Sequence, residues 1–158
     1  DSPALAELRA PADRALGLRA ELLLAGALPD LAAASAEHQA TWTAIARAMA
    51  RLAPDHHTPE RPLGRALYDA AVSERTVLSL TSAARPEAER QLLQAVDALR
   101  RARETGARSA FDWRPVAAAL LDGPQGAPLH AVLRDYYLAY PNSPLRGDGP
   151  PDDWELEL

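Results

Sequence analysis

Cysteine and lysine are both missing from this chain of 158 residues, and aromatic side chains make up only 5% of it. Without a thiol, disulfide frameworks and thiolate chemistry are excluded, and a zinc site would have to rely on His and carboxylates. No apolar run approaches the roughly 18 to 20 residues that a membrane-spanning helix needs. At 47% hydrophobic residues, the chain is too apolar to stay disordered. Gly64, Gly106, Gly123 and Gly126 are isolated and follow no predicted strand, so no glycine loop for cradling phosphate is present. Neither a Gly-x-Ser-x-Gly elbow nor a His-Glu-x-x-His pair occurs. The adjacent acids Asp152 and Asp153 lie in a polar tail where nothing would dry or position them for acid-base work. These absences predict a protein that is not an enzyme and uses no cofactor. No repeat of 20 to 50 residues is evident, which removes solenoid architectures. The chain starts at Asp1 with no basic, apolar leader, so no secretory signal is visible, and the lack of cysteine fits an expected reducing, cytoplasmic setting.

The length suits one domain with a real core, or two small helical lobes sharing a boundary. A formal net charge of -5 argues against nucleic acid when taken as one number, but it is unevenly spread. The last eleven residues hold Asp148, Asp152, Asp153, Glu155 and Glu157 and no arginine, leaving residues 1–147 with 17 acids against 17 arginines. Residues 61–114 hold ten arginines against seven acids, a local excess of three positive charges. The division predicts an all-helical domain over 1–145 and an acidic tail over 146–158, whose Trp154, Leu156 and Leu158 would dock on the body or on a neighbouring subunit.

Helical spacing of apolar residues predicts an all-α fold, a compact bundle of about six to eight helices. Ser2-Pro3 starts a short segment reaching about Ala10. Pro11 opens a second helix with Leu18, Leu22 and Ala25 on its inner face, ending near Gly26 to Pro29. From Leu31 to Ala53, Trp42, Ile45, Met49 and Leu52 form a narrow seam, which reads as packing rather than a cofactor box. Two short helices follow, broken at Ser73, a good N-cap; Leu63, Ala66, Leu67 and Ala70 share a face on the first, and Val77, Leu80 and Thr81 on the second. Pro86 to Glu104 is the longest predicted helix, with Leu92, Val96 and Leu99 inward. Gly106 ends it, and Asp112 caps a helix with Trp113, Val116, Leu120 and Leu121 buried, stopped by Asp122-Gly123-Pro124. A last helix from Pro128 to about Tyr140 buries Leu129, Val132, Leu133 and a tyrosine. The tyrosines could stack on bases, but at this spacing core or interface packing is the plainer reading.

Pro54 to Pro62 is the clearest loop. Its adjacent His56 and His57 diverge in extended backbone with no third ligand at suitable spacing, so a flexible, solvated loop is expected rather than a metal site. The arginines are more informative. Arg65 and Arg75 point away from the apolar stripes of consecutive helices, where a guanidinium with several fixed donors suits a phosphate backbone. Asp69 sits beside Arg65. Arg90 and Arg101, three turns apart, share the outer face of the long helix. Asp97 is placed to pair with Arg100 and Arg101, and Glu104 adds to that charged face. Arg65 and Arg75 are therefore expected to contribute more to binding than Arg100 and Arg101.

In order and rough spacing, Leu63-Gly64-Arg65-Ala66-Leu67, Ser73-Glu74-Arg75, Leu92-Leu93-Gln94-Ala95-Val96, Asp112-Trp113 and Asp135-Tyr136-Tyr137 resemble the small-subunit (CasB) family of the type I-E CRISPR Cascade complex. The likeness runs from about His38 to Tyr140. It rests on collinearity, since each short motif alone would recur in many helical proteins. The resemblance implies an all-α, non-enzymatic subunit present in two copies. Its implied partners are the large and backbone subunits, guide RNA, and the target and displaced DNA strands, held through backbone contacts. Arg9 matches an early arginine implied to touch nucleic acid, and Arg85, at a helix entrance, matches a basic position. Glu37 departs from relatives that carry arginine there. The nucleic-acid-binding set is thus Arg65, Arg75, Arg85, Arg9, Arg90 and Arg101, with no metal and no membrane. From pattern alone the alternative is a helical interaction or ligand-sensing regulatory domain, which would need an apolar cavity.

Overall fold

A computed structural model describes residues 2–11, 14–84, 87–122 and 129–141. The predicted tail over 146–158, Arg85 and the stop after Asp122 lie outside these residues. The described chain is all-α: α1 (Pro3–Leu8), α2 (Leu18–Ala27), a 3-10 turn (Pro29–Ala33), α3 (Ala36–Leu52), α4 (Leu63–Asp69), α5 (Glu74–Ser82), α6 (Glu87–Glu104), α7 (Trp113–Asp122) and α8 (His130–Leu138). No helix here is long and apolar enough to cross a membrane.

The main core is built by α3 to α8 and includes Ile45, Leu52, Leu67, Leu80, Leu92, Val96, Leu99, Phe111 and Leu120. Trp42 and Met49 pack against it, as their place in the seam predicts. The α3 helix runs beside α6 in the same direction: Thr41 donates to Glu89 Oε1 at 2.6 Å near one end, and Arg51 pairs with Asp97 at 3.0 Å near the other. Both C-termini therefore emerge at the same end of the bundle. A smaller cluster of Leu8, Ala20 and Ala50 joins α1 and α2 to the back of α3.

Local signals set most helix ends. Ser35 and Ser73 accept from His38 N and Thr76 N, capping α3 and α5 as side-chain oxygens at N-caps do. At the end of α6, Gly106 takes φ +93° while Ala107 N and Gly106 N donate to Ala102 O and Arg103 O, a Schellman closure. The same closure ends α4, with Val72 N bonded to Leu67 O and Ala71 N to Tyr68 O, but here alanine, Ala71, occupies the left-handed position at φ +52°.

Two expectations for the first third are corrected. Residues 14–17 are not helical, so α2 begins at Leu18 rather than Pro11, and α3 begins at Ala36 after the 3-10 turn. The inner face of α2 is Ala20 and Leu24, whereas Leu18 and Leu22 are 69% and 63% exposed. The cause is a tertiary anchor on a helix whose leucines and alanines face several sides, beside the charged Arg19 and Glu21. Glu7 of α1 accepts from Ala20 N at 2.9 Å, taking one of the helix's unpaired donors and fixing its rotation.

The α4 helix crosses α8 with their backbones in close approach. A methyl group at Gly64 would lie 2.1 Å from Val132 O and 2.5 Å from Tyr136 N, so the two backbones touch where a side chain would stand. The tyrosines surround this crossing, and Tyr136, buried, donates its hydroxyl to Val72 O at 2.8 Å. Burial pushes the Tyr136 hydroxyl pKa far above its ordinary value. Overpacking backbone against backbone is poorly relieved, so Gly64→Ala is expected to destabilise the fold by about 3 kcal/mol or more, read by chemical denaturation. Ala71→Gly should stabilise it by about 1 kcal/mol in the same assay, because glycine removes the Cβ penalty of the left-handed turn.

Candidate nucleic-acid interface

Three helices end in arginine at the same end of the bundle: Arg9 follows α1, Arg51 closes α3, and Arg101 and Arg103 lie in the last turn of α6. Cations are favoured at helix C-termini, where carbonyls lack partners and the dipole is negative. Arg9 Nε donates to Ala50 O at 2.8 Å and Arg103 Nη1 to Leu52 O at 2.8 Å, so two guanidinium groups close the last carbonyls of α3.

Arg9, Arg51, Arg100 and Arg103 line a groove of about 920 Å³ with Leu5, Pro54, Asp97 and Glu104. Arg103 also belongs to a neighbouring groove of about 360 Å³, lined by Asp55, Thr58, Arg61 and Arg108. The two share that side chain and hold six arginines against three carboxylates. Arg61 anchors on carbonyls, donating to Ala110 O at 2.7 Å and Arg108 O at 2.9 Å. It also pairs with Asp69 at 3.0 Å, which Arg65 meets from the other side at 2.9 Å. Partial burial works to raise the Asp69 pKa, but hydrogen bonds and charge from Arg65 and Arg61 outweigh it and hold the carboxyl below its usual range.

The loop that carries Asp55, Thr58 and Arg61 is tied down rather than loose, which corrects the expectation of a flexible segment. Thr58 N bonds to Phe111 O at 3.1 Å, Asp112 N to Arg61 O at 2.7 Å, and Trp113 Nε1 to His56 O at 2.7 Å. Asp112 does more than cap α7. It accepts from Arg114 N at 3.0 Å, from Glu60 N at 3.1 Å and from the Arg114 guanidinium at 2.6 Å. Among the described residues no cluster of three or more His or carboxylate groups could hold a metal ion.

The sequence-predicted arginines are not brought together. Arg9 lies in the larger groove, and Arg65 adjoins the smaller one through Asp69 and Arg61. Arg75 is exposed in the first turn of α5, outside both grooves. Arg90 pairs with Glu87 and lines a different cleft, while Arg101 is exposed on α6. Among the described residues neither Arg75 nor Arg101 forms an ion pair. Asp97 does not serve Arg100 or Arg101 as predicted. Arg51 reaches it from α3, and Arg100 turns to Glu104 at 3.3 Å, because the neighbouring helix offers a partly buried partner that the local pattern omits. Arg51, Arg61, Arg103 and Arg108 were missed. Their signal is arginine recurring at the ends of helices and in the loops beside them.

The cleft beside Arg90 is about 800 Å³, lies between α2, the 3-10 turn, α3 and α6, and has walls of Leu16, Leu24, Leu31 and Leu93. Arg47, only 4% exposed, also lines it and donates to Pro11 O at 2.8 Å.

No family model, curated protein or solved structure matches this chain.

The Asp112 carboxyl is held well below the usual carboxylate range, chiefly by its hydrogen bond from the Arg114 side chain, against the opposing effect of burial. Its folded pKa is depressed relative to about 3.9 in an unfolded chain. The resulting stability is therefore present above about pH 4 and is lost as pH falls through the folded value. Asp112→Asn is expected to lower stability at pH 7 and to flatten its decline below pH 4, measured by denaturant midpoints at each pH.

Proposed function

We propose that this protein is a non-catalytic small subunit of a CRISPR ribonucleoprotein surveillance complex, binding guide RNA and target or displaced DNA through their backbones without sequence preference. Its partners on this reading are the large and backbone subunits and a second copy of itself, in the cytoplasm. One observation carries the proposal: arginines from α3, α6 and the loops after α1, α3 and α6 line two joined grooves with an excess of positive charge. Arg9, Arg61 and Arg103 are positioned by backbone carbonyls, and Arg61 and Arg103 also pair with Asp69 and Asp55. Such an array suits phosphodiesters, which need positioned charge rather than a reactive group. The collinear motifs from Leu63 to Tyr137 add support for the CRISPR assignment.

Salt titration of single-strand binding tests the reading. Each phosphate contact contributes a log-log slope of about -0.7 on single strands, so Arg100→Ala with Arg108→Ala should flatten the slope by about 1.4. Arg19→Ala, on exposed α2, should leave it unchanged. Loss of binding with Arg75→Ala, with none in the 100/108 variant, would move the interface to α5. The second reading, a helical interaction or ligand-sensing domain, is favoured by the leucine-walled cleft. Absence of strand binding at low salt would leave it as the better account.

A further inference from the structure

The two arginine grooves carry more charge than the folded body answers. Asp97 pairs with Arg51, Glu104 with Arg100, Asp55 with Arg103, and Asp69 with both Arg61 and Arg65. Set against the six lining arginines and Arg65, these four carboxylates leave an excess of three positive charges. Arg108 forms no ion pair among the described residues. The pair of Arg100 with Glu104 is long, at 3.3 Å, and lies on side chains 48% and 65% exposed, where water screens it. The larger groove is also partly apolar, because Leu5, Pro11, Ala53 and Pro54 stand among its arginines.

One segment of the chain has the matching composition. Residues 148–158 hold five acids and no arginine, and they include the run Trp154-Glu155-Leu156-Glu157-Leu158. Alternate side chains of an extended segment point to opposite sides, so such a run offers Trp154, Leu156 and Leu158 to one surface and Glu155 and Glu157 to another. A wall that mixes proline and leucine with guanidinium groups can take both. Length permits it too. Pro141 follows Tyr140, whose ring centroid is 4.7 Å from that of Tyr68; Tyr68 directly precedes Asp69, and Asp69 pairs at 3.0 Å with Arg61 in the wall of the smaller groove. Laid end to end, these links span about 27 Å at most, whereas the stretch from Asn142 to Trp154 reaches about 43 Å. Tethering keeps the acids at the grooves at an effective concentration on the order of millimolar, so even a weak contact is populated.

We propose that residues 148–158 are an intramolecular occupant of the two grooves. Their carboxylates meet the unanswered arginine charge, Trp154 and Leu156 pack on Leu5 and Pro54, and a nucleic-acid strand must displace them before it binds. The occupancy stands on charge, apolar pattern and length alone, while the displacement rests on the nucleic-acid reading above.

Because the chain has no cysteine, two introduced thiols can close only one disulfide within it. Ala53→Cys with Leu158→Cys probes the groove, and Leu22→Cys with Leu158→Cys probes an exposed apolar residue of α2 as the comparison. With diamide as oxidant, at low salt and with no nucleic acid present, the groove pair should close about tenfold faster or more, the advantage of a docked segment over one that samples the whole surface. The advantage should shrink at about 1 M salt, where charges act over only a few ångströms. It should shrink as well when Trp154→Ala and Leu156→Ala are added, a change that keeps every tail charge. In the cysteine-free chain, the same Trp154→Ala with Leu156→Ala should tighten binding of a thymidine 12-mer by about fivefold if the grooves are open about a fifth of the time. Equal closure of the two pairs, or faster closure at Leu22→Cys, overturns the occupancy whatever the strands do. A groove preference with strand affinity unchanged in the double variant overturns the displacement. If no strand binds either chain at low salt, the nucleic-acid reading fails, and the closure rates still decide the occupancy.

Discussion

The contact of α4 on α8 at Gly64 constrains most of what surrounds it. Two helix backbones approach until Val132 O and Tyr136 N occupy the space a side chain would need. That distance lets a seven-residue helix, α4, which could not persist alone, gain enough packing to be stable. It also brings Tyr136 within reach of Val72 O, so the turn after α4 is bonded from the far side of the crossing. Once α4 is fixed, Asp69 at its end is fixed, and with it the meeting point of Arg61 and Arg65.

The second constraint is the parallel arrangement of α3 and α6. Parallel neighbours expose their unpaired carbonyls together, and an exposed row of carbonyls is a negative end that attracts cations. Arg9 and Arg103 answer this need at Ala50 O and Leu52 O. The basic groove is thus a product of helix termination as much as of any ligand. Structural demand and proposed function coincide on the same side chains, so the stability of this end and its charge cannot be varied independently.

Much of the architecture was legible in the sequence, for reasons that differ by segment. The α4 to α6 region was readable because apolar spacing, the Ser73 cap and Gly106 all act within a few residues of the ends they set, whereas the start of α3 at the Ser35 cap was missed. The α2 helix was not, since its leucines and alanines fall on several sides and leave only a weak rotational preference, and Glu7 of α1 chose one. Arg65 with Asp69 was visible as a four-residue pair. Arg51 with Asp97 was not, because the pair spans two helices and local spacing pointed Asp97 toward Arg100. The loop over 54–62 was recognisable from its prolines, but its attachment to Phe111, Asp112 and Trp113 depends on bonds to residues fifty positions away. The candidate interface is the least legible part. Its arginines come from five places in the chain and are gathered only when helix ends meet.

Anchoring arginines on backbone carbonyls has an entropic consequence. A free arginine side chain carries about 2 kcal/mol of rotamer freedom that an incoming anion must remove. Arg61 and Arg103 are each bonded to a carbonyl and a carboxylate in the folded chain, so their side chains are ordered before any ligand arrives. Folding has already taken that loss, and association has less left to overcome. A lysine in either place would keep the charge but not the arrangement, since a single ammonium on a flexible stem lacks the planar fork that lets one side chain bridge two acceptors.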